Sequence, residues 1–354
     1  MRFWRRAGFV PEAKPCSQPE NEGNAAMMRM TLARAAAAAV LTAALALAAL
    51  PARPDAYPSR PIRWIVNFPP GGTGDIIGRI VAPQLSAEIG QSIVVENRPG
   101  AGGIIGARDV VNADPDGYTL TVGQTPEIAI NPYFMKDVGY DPQKDLQPIA
   151  LLGIVPLALV VPPNSPYATA AQWVAAMRAN QPMNFASAGV GTPGHLLGEL
   201  LRLKLDSKLV HVAYKGAGPA LVDVAGGQVD FYFPGYPGAV PLVQGGKVKM
   251  LAMSTAKRSP LAPDIPTVAE VSGITDFDFT LWAGMFGPRA LPQDIAQRLN
   301  TAINKVIVEP DIKARLQQAG AQVSALSIDQ FAAFVRNDSD RYRAIIKQGD
   351  LKPE

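Results

Sequence analysis

The sequence has a single cysteine, Cys16, and only two histidines, His195 and His211. One cysteine excludes an intramolecular disulfide framework and a Cys-based zinc site, and two histidines are too few for a multi-His metal centre. Charge is scarce, at 18% of residues, and the imbalance of +3 belongs to the start of the chain. Of the 33 Lys/Arg and 30 Asp/Glu, seven and four lie in residues 1–56, so residues 57–354 carry 26 of each. A nucleic-acid footprint needs clustered basic charge, so no nucleic-acid partner is expected. The 354 residues are 48% hydrophobic, which excludes a disordered chain and leaves ample length for one large or two modest domains.

An apolar run of membrane length is also missing. Arg29 and Arg34 precede Ala35–Leu50, a stretch of Ala, Val, Leu and one Thr, and Pro51, Ala52 and Ala56 follow. At about 16 residues the run falls short of the roughly 20 that span a bilayer. A positive region, a short apolar region and small residues read as a secretory signal peptide cleaved between Ala52 and Tyr57. The alternative is an uncleaved anchor. Residues 1–26 are polar, so translation is expected to start at Met27, Met28 or Met30, unless the signal has an unusually long leading region. The exported product would be soluble and free of cysteine.

Beyond residue 57 the periodicities alternate. Ile62–Phe68, Ile93–Glu96, Tyr118–Val122, Met183–Ala186, Val210–Ala213, Val229–Phe233 and Val248–Ser254 read as strands. Asp75–Ile89, Ile104–Ala113, Ala170–Ala179, Leu196–Leu203, Ala220–Ala225 and three segments after Ile295 read as helices. This predicts an α/β protein with mostly parallel sheets. Residues 62–122 and 183–254 share one layout, so two similar lobes are expected. The run Leu151–Val161 is too long for an ordinary strand and is expected to begin in one lobe and end in the other. Phe277–Pro288 is a second candidate crossover, leaving a cleft between lobes. The expected division is 1–56, then 57–157 with 281–354, and 158–280.

Three helix starts carry the local chemistry: Phe68–Asp75 (FPPGGTGD), Gly123–Pro126 (GQTP) and Ser187–His195 (SAGVGTPGH). Thr125 and Thr192 each precede a proline, which predicts N-caps. Each start follows a strand, where open α/β sheets bind ligands. Helix amino termini offer free N–H groups and partial positive charge, which suit a carboxylate or phosphate without Lys or Arg. Gly71, Gly72, Gly189 and Gly191 let the backbone approach closely. One such loop per lobe would grip a small dianion; the alternative is ordinary glycine-rich turns. Nucleotide motifs fail: five residues separate Gly72 from Gly78 and Arg79 stands where a Walker loop needs Lys, and Ile77 breaks a dinucleotide fingerprint.

His195 falls in the first turn after Thr192, as a ligand contact or a locally bonded histidine. Tyr214 follows a strand end and is placed at the cleft, as is Tyr236; Asp75 caps its helix or meets a ligand. Catalysis has little support. Ser187 near His195 lacks a nucleophile elbow and an orienting acid, so a hydrolase is the lesser alternative.

The ordered motifs Tyr57–Ile62 (YPSRPI), Phe68–Gly72 with Asp75, Val94–Gly103 (VVENRPGAGG), Asp114–Tyr118 (DPDGY), Gly191-Thr-Pro with His195, Tyr214-Lys-Gly216, Gly226–Asp230 (GGQVD) and Asp264–Val268 (DIPTV) resemble the Bug-type periplasmic substrate-binding proteins of the tripartite tricarboxylate transporter system. The resemblance implies a two-lobed, type II flytrap fold with parallel-rich sheets flanked by helices. A monomeric, non-enzymatic protein without cofactor or metal is expected. Such a protein captures a small carboxylic acid for membrane transporter subunits or, alternatively, for a sensor kinase. The ligand-binding set it implies comprises Phe68, Gly71, Gly72, Thr73, Asp75, Gln124, Thr125, Ser187, Gly189, Gly191, Thr192 and His195, to which the residue reading adds Tyr214 and Tyr236. Phe231–Gly238 (FYFPGYPG) and Gln124–Glu127 (QTPE) depart from the family pattern, which points to a bulkier or aromatic acid.

Overall fold

The computed structural model describes residues 27–35, 57–275, 277–348 and 350–352. Residues 27–35 form an exposed helix that belongs to a separate unit, Met1–Ala56. The expected signal-peptide core beyond residue 35 and its cleavage segment up to residue 56 lie outside the described residues. Among the described residues no helix is long and apolar enough to cross a membrane.

The unit Tyr57–Glu354 holds two five-stranded sheets. In the first, β1 (Ile62–Val66) lies between β2 (Ile93–Asn97) and β3 (Thr119–Gln124), all parallel. The sheet continues through β10 (Thr280–Pro288), antiparallel to β3 and to β4 (Leu146–Pro156). In the second, β6 (Met183–Ser187) lies parallel to β7 (Leu209–Ala213) and β8 (Phe231–Tyr232). There β5 (Ala158–Val161) runs antiparallel to β8 and to β9 (Lys249–Met253). The odd strand of each sheet is the one that enters from the other lobe. Both expected crossovers are present: the run through Leu157 carries β4 into β5, and Phe277 onward leads into β10.

The crossovers are tied together by Ser254, fully buried just past β9. Its Oγ accepts from the Leu157 N–H (3.0 Å) and donates to the Phe279 carbonyl (2.5 Å). Its backbone N–H donates to Leu157 O and its carbonyl accepts from Phe279 N. No sequence pattern marked this residue.

The helices follow the apolar periodicity. Helix α1 (Thr73–Ile89) buries Ile77, Val81 and Leu85 and stops where Gly90 turns left-handed (φ 75°), its N–H on Ser86 O. It packs against β2 and against α8 (Gln293–Val308), which α9 (Pro310–Gln318) follows. The other main helices are α2 (Ile104–Val111), α3 (Ala170–Arg178), α4 (Pro193–Lys204), α5 (Ala217–Ala225), α6 (Tyr236–Gln244), the short α7 (Val268–Ser272) and α10 (Ile328–Gln348). Two expectations change. The strand read over Val229–Phe233 shrinks to Phe231–Tyr232, the only two residues of it that pair with β5 and β6. Thr125-Pro126 opens a five-residue wide turn (Pro126–Ile130), and Thr125 is itself right-handed (φ −46°, ψ −45°) and caps nothing.

Candidate functional site

Four helix starts face one interlobe cavity of about 90 Å³. From the first lobe come Gly72 and Thr73 of α1. From the second come Thr192–Gly194 of α4, Ala217–Pro219 of α5 and Gly235, which precedes α6. First-turn N–H groups have no intrahelical acceptor, so each start aims donors and positive potential at this space. Phe68, Pro70, Leu157, Phe233 and Leu281 supply an apolar wall. The starts of α5 and α6 escaped the sequence reading. Their signals are a glycine or Gly-Pro pair before a proline in the first turn (Gly218-Pro219, Gly235-Tyr-Pro237), which also reads as a plain turn.

Gln124 is the central polar side chain. It lines the cavity, 2% exposed. Its Oε1 accepts from Gly74 N (3.1 Å), which fixes the orientation of the amide, and its buried Nε2 has no partner. A buried donor left unmade costs about 1–3 kcal/mol, so this group awaits an acceptor.

The expected residues divide into wall and support. Phe68, Gly72, Thr73, Gln124 and Thr192 line the inner cavity. Phe68, Gly189 and Tyr214 line an adjoining space of about 410 Å³ with Lys215 and the loop Pro99–Gly103. The Tyr214 hydroxyl donates to Asp223 Oδ2 (2.6 Å), and burial together with that carboxylate pushes it up to about 12. The other seven stand behind. Gly71 N donates to Asp75 Oδ2 (2.9 Å), and Asp75 Oδ1 accepts from Arg79 Nε (2.8 Å) and Asn97 Nδ2 (3.0 Å). Asp75 therefore braces the loop. Thr125 Oγ1 accepts from Trp282 N (2.9 Å), which joins β3 to β10. Tyr236 donates to Leu261 O (3.2 Å) and packs against the cores of both lobes.

Ser187 and His195 do not meet as nucleophile and base. Ser187 Oγ lies 2.7 Å from His211 Nε2 and donates to Gly189 O (3.0 Å). His195 Nδ1 accepts from Gly191 N (3.3 Å), and its ring stacks on His211 with centroids 4.0 Å apart. Burial, with the His211 ring alongside, holds His195 down to about 3, so it is neutral. Among the described residues no group of three or more His, Cys, Asp or Glu could hold a metal ion.

Glu127 lies behind Gln124 and was not anticipated. It is fully buried, and its Oε1 accepts from Asn67 Nδ2 and from Gln124 N, both at 2.7 Å. Burial pushes its carboxyl up to about 8, so it is mostly uncharged at neutral pH and does not repel an anion in front of it.

The lobes meet at glycines. A Cβ on Gly235 would collide with Thr73 Oγ1, and one on Gly191 with Asn131 Oδ1. A Cβ on Gly216 would lie 3.0 Å from Pro69 Cγ, and one on Gly102 3.2 Å from Val190 O.

The sequence profile described as "Tripartite tricarboxylate transporter family receptor" matches residues 77–351. A protein encoded in the tcbD-tcbE intergenic region of Pseudomonas sp. (strain P51) is 37% identical over 295 residues, covering 83% of this chain and 88% of the relative. Protein BugT of Bordetella pertussis is 32% identical over 325 residues, covering 91% and 99%. An R. palustris protein solved with adipate superposes with a TM-score of 0.81 at 31% identity, covering 84% of this chain and all of the other.

Proposed function

Because the chain belongs to the tripartite tricarboxylate transporter receptor family, we propose that the cleft around Gln124 captures a small carboxylic acid and delivers it to membrane components of a transporter. Members of this family are receptors rather than enzymes, and their location is periplasmic. The observation that carries the ligand class is the buried, unpartnered Gln124 Nε2 among four helix starts. These groups are all donors, and a carboxylate is an acceptor-only partner. The neighbour solved with adipate supports the same class. In this reading residues 1–56 carry a cleaved signal peptide, and the lobes 57–157 with 281–354 and 158–280 close over the acid as a monomer. Closure is driven by the ligand's differential affinity for the closed form.

Calorimetric titration with small acids and their neutral amides tests this. An acid should bind and its amide should not. Gln124→Leu should weaken binding by about 10- to 150-fold, the worth of a hydrogen bond to a charged group. Equal binding of acid and amide would overturn the reading.

A further inference from the structure

His195 sits where the lobes press together, and the first lobe supplies part of its cover. The ring is 1% exposed. It stacks on His211 of β7, inside its own lobe, with 25° between the planes. From the first lobe, Phe134 meets it in a T-shaped contact with centroids 5.5 Å apart. The helical turn that carries Phe134 (Asn131–Phe134) packs on α10. The same turn leans on the approach to α4. Asn131 Nδ2 donates to Gly102 O (2.9 Å), its Oδ1 lies against Gly191, and a Cβ on Gly191 would stand 3.2 Å from Met135 Cε. Parting the lobes would withdraw Asn131, Phe134 and Met135 together and turn the imidazole toward water. An imidazole in water takes up a proton below about 6.5, whereas burial keeps it neutral. Among the described residues, none of the groups around His195 would compensate a charge on it. Burial, and then the His211 ring, hold its proton affinity down. The Tyr133 hydroxyl accepts from Gln143 Nε2 (3.0 Å), and Ser187 Oγ turns to His211. Glu199, one turn along α4, is paired with Arg202 (2.8 Å), and Lys136 and Asp137 past the turn are exposed. No residue of the inner wall carries a carboxylate, ammonium, guanidinium or imidazole group, so pH acts on the cleft from behind that wall.

We propose that lobe closure is coupled to the protonation of His195, so that the cleft holds its acid in neutral medium and releases it in acidic medium. This rests on the lobe closure proposed above. A lock on the lobes tests it without any ligand. A Cβ on Gly235 would stand 3.7 Å from Thr73 Cβ, a separation that a disulfide spans. In the full chain carrying Thr73→Cys and Gly235→Cys, with Cys16→Ser, oxidation holds the lobes together and reduction frees them. The chain has only two histidines, so their ring protons can be followed by NMR and assigned through His195→Gln. In the reduced form His195 should titrate near the ordinary value of about 6.5, and in the oxidised form it should stay neutral down to about pH 5. Identical titration in the two forms overturns the inference. Calorimetry with adipate gives the functional readout. Between about pH 7.5 and about 5.5 the native chain's dissociation constant should rise about tenfold more than that of His195→Gln, because the open form alone takes up the proton. An equal rise in both also overturns it. If neither adipate nor any acid of the wider titration binds, the carboxylate reading falls and the locked chain still decides this inference.

Discussion

At the scale of single residues, Glu127 and His195 make opposite contributions to the pH dependence of stability. Glu127 keeps its proton in the fold up to about 8, against an ordinary value of 4.5. Between those values the unfolded chain has lost a proton that the folded chain retains, so stability falls as pH rises and levels off above about 8. His195 is depressed to about 3 from 6.5. Below about 6.5 the unfolded chain gains a proton that the fold refuses, so stability falls as pH falls. Glu127→Gln should therefore gain melting temperature over the native protein as pH rises from 5 to 8, read by calorimetry on both. A difference that stays flat across that range would show that Glu127 is ionised in the fold. His195 stood out in sequence as a ligand contact or a locally bonded histidine, whereas the burial of Glu127 did not show. A glutamate two positions after Thr125 looks like a solvated first-turn acid, and only the convergence of β1, β3 and the Gly103 loop buries it.

At the scale of elements, the loop before α1 depends on Asp75, whose two oxygens hold Gly71, Arg79 and Asn97. Asp75→Ala should destabilise the fold by about 2–4 kcal/mol, the loss of buried bonds to a charged group, measured by denaturant unfolding. It should also weaken ligand binding by loosening Gly72 and Thr73. The periodic helices and the alternating strands were legible because their apolar spacing is local, as in α1 and α8. Helix α6 was not, because Pro237, Pro241 and Gly245 look like turn residues; Pro237 sits in the first turn, and the tertiary setting tolerates Pro241 inside. The site was half legible for the same reason. Glycine and Thr-Pro signals found the starts of α1 and α4. The split between residues that line the cavity and residues that brace it depends on which way each side chain turns.

At the scale of the whole molecule, the lobes touch where one side presents a glycine and the other a side chain or, at Val190, a carbonyl oxygen. Gly235→Ala would place a methyl group against Thr73 Oγ1. It should leave the unliganded stability nearly unchanged and weaken the acid's binding by about tenfold or more, since a poorly populated closed state lowers apparent affinity in proportion. Small-angle scattering with and without ligand would show closure in the native chain and its loss in the variant. Ser254→Ala removes the clasp between the crossovers and strands the buried Leu157 N–H, at a cost of about 1–3 kcal/mol. The cavity wall without cations has one more consequence. Helix-start dipoles act over a few ångströms, inside the roughly 10 Å over which 0.1 M salt screens. The dissociation constant should then change by no more than about twofold from low salt to about 0.5 M. Brine and fresh water would be the same to such a site, so occupancy would report the concentration of the acid independently of the salt around it.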